Sequence, residues 1–571
     1  MCGLTLTIRP LLPKNHDQSE PDTTSALLES FRSTNVQRGP DSQRTYTHIV
    51  DLDDGNRLEI CLTATVLGLR GELTAQPMVG KRGVLGWNGQ VFEGIDMGKD
   101  ENDTRKVFDR LEAGADIEEV LRGIEGPFAF VYLDLTTETL HYQLDPLSRR
   151  SLLIHPLEPS TGKTALFILS SSRAPAAREQ GVDMRALLGG EGGSISLKNV
   201  LLSESNQEAS INLTHAIVQR TTLDIPESSS FPWTRVSPIN TALPPPELPQ
   251  QNPDIMAEVP EFIEQLKSSV RRRVENIPAP DKGNSRVAVL FSGGIDCTFL
   301  AYLLHLCLPP DDPIDLVNVA FSPTPKLPNP HDKGKGKEPA PPSYDVPDRL
   351  SGRDAVTELK EICSDREWRF LEINVPYDEA RAHRQNVIDL MYPSSTEMDH
   401  SLALPLYFAS RGIGILQGSN EPYHVKAKVY LSGLGADEQL GGYARHRHAF
   451  QREGWEGLIS ETQMDIARLP TRNLSRDDRM LSSHARDARY PYLSLSFILY
   501  LSSLPIHIKC DPRLGEGQGD KILLRKAVES VGLKRASGRV KRAMQFGTRS
   551  SKLGGSGTGV KGPKAGERQV E

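Results

Sequence analysis

Val287-Ala288-Val289-Leu290-Phe291-Ser292-Gly293-Gly294-Ile295-Asp296-Cys297 runs from five apolar residues through two glycines into a second apolar run, Thr298 to Leu308. The apolar five predict a buried strand, the glycines a tight turn free of β-carbons, and the remainder a helix. Asp315 to Phe321 predicts another strand. Strand, helix, strand in that order predicts a parallel sheet, because parallel neighbours need a crossover. Backbone N–H groups in such a turn and at the helix start attract phosphate oxygens, and the Ser292 hydroxyl adds a donor. The loop is not a Walker A loop, since no Gly-Lys-Ser/Thr follows. Read alone, it is better taken as an ordinary strand-to-helix turn with Asp296 as cap. Asp296 beside a polyphosphate would be repelled unless a cation intervened, so Mg²⁺ is expected if ATP binds here.

Downstream, the short strand Val429-Tyr430-Leu431 leads into Ser432-Gly433-Leu434-Gly435-Ala436-Asp437-Glu438 and then Gly441-Gly442-Tyr443. Two strand-to-glycine loops in one parallel sheet put both loops at the carboxyl ends of strands, where open α/β sheets bind ligands. Asp437 and Glu438 read either as favourable charge in a first helical turn or as groups that position metal or pyrophosphate. Between residues 255 and 274, Val259, Phe262, Ile263, Leu266 and Val270 fall on one helical face. From Ser351 onward helices and strands alternate, then helices dominate.

The first 215 residues differ. Gly3 to Ile8, Leu58 to Leu67, Phe128 to Leu133 and Ala165 to Leu169 are short extended runs, with few helical patterns (Thr24 to Phe31, Thr104 to Leu111). This predicts an α+β unit with mainly antiparallel sheets. Residues 216–255 are Pro-rich and read as a linker. Residues 256–550 form the second unit, with a disordered insertion expected at 323–348 around Lys333-Gly334-Lys335-Gly336-Lys337 and a flexible tail at 551–571. At the start, Met1-Cys2-Gly3 places Cys2 behind the initiator. Once Met1 is removed, Cys2 carries a thiol and an α-amine with a reference pKa of ~7.7–8.0, a nucleophile with its own base. In Trp87-Asn88-Gly89-Gln90, the Asn88 amide and the Gly89 N–H would make a two-donor oxyanion hole. Read alone, Asn88-Gly89 is a hairpin turn.

A chain of 571 residues exceeds one core. Its net charge of −7, from 67 basic and 74 acidic residues, argues against nucleic acid as the main partner. The six cysteines form no Cys-x-x-Cys pair and no zinc spacing, which fits free thiols in a reducing compartment. Arg9, Pro10, Pro13 and Lys14 interrupt any signal-like run, and Thr298 to Leu308 is about half the ~20 residues of a membrane span. A cytoplasmic protein with no membrane partner is expected.

Motifs in order now carry a resemblance. Met1-Cys2-Gly3, Arg38-Gly39-Pro40-Asp41, Gln76-Pro77-Met78, Asn88-Gly89, Asn102-Asp103-Thr104, Gly126-Pro127-Phe128 and Asp145-Pro146 to Leu153 resemble a class II glutamine amidotransferase domain. Ser292 to Cys297 resembles the loop of ATP pyrophosphatases. Ser432 to Glu438, Arg486 to Leu493 and Lys521-Ile522-Leu523-Leu524-Arg525 are similar to the asparagine synthetase family. The resemblance implies an α+β N-terminal nucleophile (αββα) amidotransferase domain, followed by an α/β parallel-sheet ATP-pyrophosphatase domain with a mainly helical C-terminal part. It implies Cys2, Asn88 and Gly89 as catalytic, with Arg70, Asn88, Gly89, Gln90 and Asp103 around glutamine. It implies Leu290, Ser292, Gly293, Gly294, Asp296, Cys297, Val319, Ser432, Gly433 and Lys521 around ATP, and Asp296 and Asp437 on Mg²⁺. The implied partners are glutamine, ATP and an amino-acid acceptor, aspartate first, with a homodimer as the open option for assembly. The chain departs from the family at Gln90, where a glutamate is usual, at Gly68, where a histidine is usual, and at Cys297, where a serine is usual. It departs again at Leu434, where enzymes that make asparagine carry an acid. These departures keep open a ligase acting on another acid and a protein of the same fold without turnover. A tRNA-modifying ATP pyrophosphatase ranks last, for want of a zinc pair and a basic stripe.

Overall fold

The structure, a computed structural model, describes residues 2–11, 23–98, 100–160, 163–205, 208–220, 236–249, 255–323, 342–419, 421–553 and 567–570. The N-terminal unit holds two six-stranded antiparallel sheets. In the first, Cys2–Pro10 is central, flanked by Phe167–Ser170 and Arg57–Val66. In the second, Phe128–Asp134 lies between Gly83–Gly89 and Thr139–Leu144. Alternate side chains from both sheets, among them Leu4, Leu6, Leu62, Val131 and Leu144, close one core between them. The helix Thr23–Val36 covers the outer face of the first sheet through Leu27 and Phe31. Asp103–Glu112 covers the second through Val107, Phe108 and Leu111. The second sheet continues to Ile217–Arg220, which pairs with Gly192–Ser196, so this unit runs past 215 and into the expected linker.

The C-terminal unit is built on a seven-stranded sheet. Trp368–Val375, Ile314–Phe321, Val287–Leu290, Val429–Leu431 and Asp487–Arg489 are neighbours in that order and parallel. An antiparallel hairpin, Ile413–Leu416 with Pro422–His424, extends one edge. The central strands are buried on both faces, as parallel strands under helices must be. Ile255–Arg272 packs as the apolar spacing predicts, with Val259, Phe262, Leu266 and Val270 buried.

Three expectations need correction. Of the linker, residues 221–235 and 250–254 lie outside the described residues, but 236–249 lies against the C-terminal helices: Ile239 is buried and Asn240 N–H donates to Ser502 O at 2.7 Å. Of the insertion, 324–341 lies outside the described residues, while 342–348 is ordered, with Val346 and Asp348 buried at the start of Pro347–Ile362. Of the tail, 554–566 lies outside, whereas Val570 N–H donates to Ser395 O at 2.7 Å and Glu397 N–H to Arg568 O at 2.8 Å. Polar backbone paired with a distant segment orders chain that composition alone marks as loose.

Buried charge joins the units. Asp478 accepts from Arg38 Nη2 at 2.7 Å, from Arg150 Nη1 at 3.3 Å and from Ser151 N at 3.1 Å. Arg150 Nη2 also donates to Asp487 Oδ1 at 2.6 Å. Burial opposes the Asp487 charge, but Arg150 and Arg489 outweigh it and hold that carboxyl down at about 2. Among the described residues no helix is long and apolar enough to cross a membrane.

Candidate active site

Val287–Leu290 is where the strand order reverses: the chain next adds strands on one side of it and later strands on the other. Such a switch point opens a crevice at the carboxyl ends of the strands. The Ser292-Gly293-Gly294 turn lies there. Gly293 has φ +77°, and a Cβ on it would sit 2.4 Å from the backbone of Ser351 and Gly352. Gly294, not Asp296, is the N-cap of Ile295–Cys307, and Asp296 falls in the first turn. The second loop meets the first, since a Cβ on Gly433 would lie 3.0 Å from Asp296 Cβ.

Lys521 locks this junction. Its Nζ lies 2.7 Å from both Asp296 carboxylate oxygens and 2.6 Å from Asp437 Oδ1, and the residue is 1% exposed. Lys541 holds the other Asp437 oxygen. Burial raises the Asp296 pKa; Asp437 is pulled down against burial by the two lysines, and Lys521 is kept protonated against burial by the two carboxylates. Among the described residues no cluster of three or more His, Cys, Asp or Glu side chains is arranged to hold a metal. The oxygens of Asp296 and Asp437 all lie on Lys521 or Lys541, so a divalent cation at these carboxylates would share them with the lysines.

Beside this junction opens a cavity of about 340 Å³, walled by the Ser292-Gly293-Gly294 turn on one side and by Lys521, Arg539 and Lys541 on the other. The remaining residues expected around ATP, Leu290, Cys297, Val319, Ser432 and Gly433, do not line this cavity. Leu290 ends the strand, and Val319 is buried in the neighbouring one. Cys297 Sγ donates to Gly294 O at 3.3 Å, and burial raises its thiol pKa, so it braces the turn as a neutral group. Ser432 Oγ accepts from Leu434 N at 3.3 Å.

Sequence reasoning missed the opposite wall. Arg539 Nη1 donates to Gly293 O at 2.6 Å. Arg542 and Lys541 lie near Asp348, whose carboxyl burial pushes up to about 7 against their charge. The signal was present as the basic run Arg539-Val540-Lys541-Arg542, one residue before Met544.

In the N-terminal unit, Cys2 opens its strand in register with Val66, four positions before Arg70. Its thiol lies outside the described atoms. Across the two sheets a Cβ on Gly86 would touch Leu4 at 3.1 Å; Cys2 precedes Leu4 by two positions and Asn88 follows Gly86 by two. Arg70 and Asp103 meet at Val91: Arg70 Nη1 donates to Val91 O at 2.8 Å, and Asp103 Oδ2 accepts from Val91 N at 3.1 Å. Burial lowers the Arg70 pKa and raises that of Asp103, each offset by the other's charge. Arg70 Nε is buried without a hydrogen-bond partner among the described residues. Asn88 and Gln90 are buried as well.

One residue spans the two centres. Arg489 Nη2 donates to Gln90 Oε1 at 3.4 Å, while Arg489 O accepts from Ser432 N, the first residue of the second glycine loop, at 3.0 Å. Fold and site thus define a two-unit protein, with a parallel-sheet crevice joined to a two-sheet unit through buried charge.

Comparison with known proteins agrees with this frame. The asparagine synthase family model matches residues 261–460 and 450–556. Asparagine synthetase domain-containing protein 1 of Homo sapiens is 34% identical over 632 aligned positions, covering 97% of this chain and 95% of that protein. The Mus musculus protein of the same name is 32% identical over 626, covering 97% of each. A more distant relative, the putative asparagine synthetase [glutamine-hydrolyzing] 1 of Methanocaldococcus jannaschii, is 28% identical over 255 positions, covering 44% of this chain and 38% of that protein. The chain belongs to the asparagine synthase family.

Proposed function

We propose that the chain is a glutamine-hydrolysing ligase that activates an amino-acid carboxylate with ATP and amidates it. One observation carries the reading: two glycine loops converge at a sheet switch point, and Lys521 bridges Asp296 and Asp437 between them. In the N-terminal unit, read as an N-terminal nucleophile domain, the Cys2 thiol attacks the glutamine side-chain amide carbon. The Cys2 α-amine takes the thiol proton and returns it to the departing ammonia. Asn88 and the Gly89 N–H oppose the developing oxyanion, and water then hydrolyses the thioester. Arg70, with its free Nε, suits the α-carboxylate, and Asp103 the α-ammonium.

In the C-terminal unit an acceptor carboxylate oxygen bonds to the α-phosphorus as the bond to pyrophosphate breaks. Ammonia then attacks the acyl carbon and AMP leaves. The Ser292-Gly293-Gly294 turn holds phosphate oxygens, and Lys521 balances charge on the departing pyrophosphate. Mg²⁺, held by Asp296 and Asp437, would neutralise phosphate charge. Aspartate is the acceptor that the family resemblance implies. A second reading, a nucleotide-binding protein without turnover, is favoured by Gln90 and Leu434 standing where the family has acids.

The test uses purified full-length protein with glutamine, ATP and an amino-acid mixture. Glutamate, AMP and pyrophosphate should form together, and Cys2→Ala should abolish product with glutamine but not with ammonium. Equal glutamine hydrolysis by Cys2→Ala would remove the first half of the reading. Absence of AMP with either nitrogen source would favour the second reading.

A further inference from the structure

The phosphate-type cleft adjoins a second cavity of about 700 Å³, which shares Asp520 and Lys541 with it. Leu434, Met398, Leu402 and Met544 are apolar residues of its lining. The cations of this wall are already matched: Arg476 pairs with Asp399 and Asp477, Arg447 with Glu516, and Arg445 with Asp465. One acid is not. Glu438 lines the cavity at 6% exposure; Tyr443 OH donates to its Oε1 at 2.5 Å, and its Oε2 has no hydrogen-bond partner among the described residues.

Cavities of about 300–1,000 Å³ enclose drug-sized ligands, so this one far exceeds a four-carbon acid. A second carboxylate, as on aspartate, would be desolvated here without a free cation to meet it, which is costly. An ammonium would meet Glu438, and a hydrocarbon group would cover Leu434. Resting on the ligase reading above, the geometry points to an acceptor that is an amino acid with a bulky apolar side chain. Its α-ammonium sits on Glu438, its side chain lies on Leu434, Met398, Leu402 and Met544, and its α-carboxylate faces the nucleotide cleft, where it is activated. The product is then the corresponding amino-acid amide.

Exchange of labelled pyrophosphate into ATP reads the first step. Leucine, methionine, phenylalanine, aspartate and glutamate are compared at equal concentration on wild type and Leu434→Asp. Exchange with the apolar acids should exceed that with aspartate by about tenfold or more, a typical margin for apolar pocket contacts. Leu434→Asp should shrink or reverse the ratio. A wild type that prefers aspartate overturns the inference, as does a preference unchanged in Leu434→Asp. So does silence with every acid while a non-hydrolysable ATP analogue binds. If the analogue itself fails to bind, the nucleotide reading falls, and calorimetry of leucine against aspartate on wild type and Glu438→Gln decides the cavity alone. Leucine binding that Glu438→Gln abolishes sustains the inference; no binding, or binding unaffected by that change, ends it.

Discussion

At the level of single residues, Gly293 and Asp348 make the sharpest demands. Gly293→Ala forces a β-carbon into the backbone of Ser351 and Gly352 at a φ of +77°. Such strained positions cost about 1–3 kcal/mol. The expected result is a stability loss of that order by urea unfolding, with nucleotide affinity falling as well. Asp348 gives a pH dependence. Its carboxyl is raised from 3.8 to about 7, so between those values the folded chain holds a proton that the unfolded chain releases. Stability from this group is therefore complete below about pH 4 and lost as pH rises through 7. Denaturant midpoints at pH 5 and 8 should differ in that direction, and Asp348→Asn should flatten the difference.

Among the elements, the strand-to-helix unit at 287–307 was legible because its run, its glycines and its apolar helix all point one way. The loop of 429–438 was legible for the same reason. Other segments were not. Residues 342–348 and 567–570 look loose by composition, and only distant partners such as Ser395 and Glu397 order the second of them. Arg539, Lys541 and Arg489 were missed as site residues because a basic side chain is ordinarily solvated, and nothing local says which acid it will reach. Arg38 and Arg150 were visible in their motifs, yet their convergence on Asp478 crosses more than three hundred positions. That convergence carries a prediction. Asp478→Ala leaves two buried guanidiniums without their shared carboxylate, and breaking a buried pair costs about 3–5 kcal/mol. Thermal unfolding should show a loss of this size or separate transitions for the two units.

In the whole molecule, a coupled ligase needs two centres that act together. Arg489 touches Gln90 with its side chain and Ser432 with its carbonyl, so it is placed to couple them. Arg489→Leu should leave glutamine hydrolysis running while AMP formation falls, raising the ratio of glutamate to AMP above unity. A ratio unchanged from wild type would assign Arg489 to packing alone. The central claim is that the switch-point crevice is a nucleotide site organised by Lys521. Equilibrium titration of full-length protein with a non-hydrolysable ATP analogue and Mg²⁺, wild type against Lys521→Ala, tests it most directly. Wild type should bind saturably and the variant should lose about 100-fold or more, the scale of removing a paired charged contact. Equal affinity in the two proteins, or no binding to wild type, would contradict it.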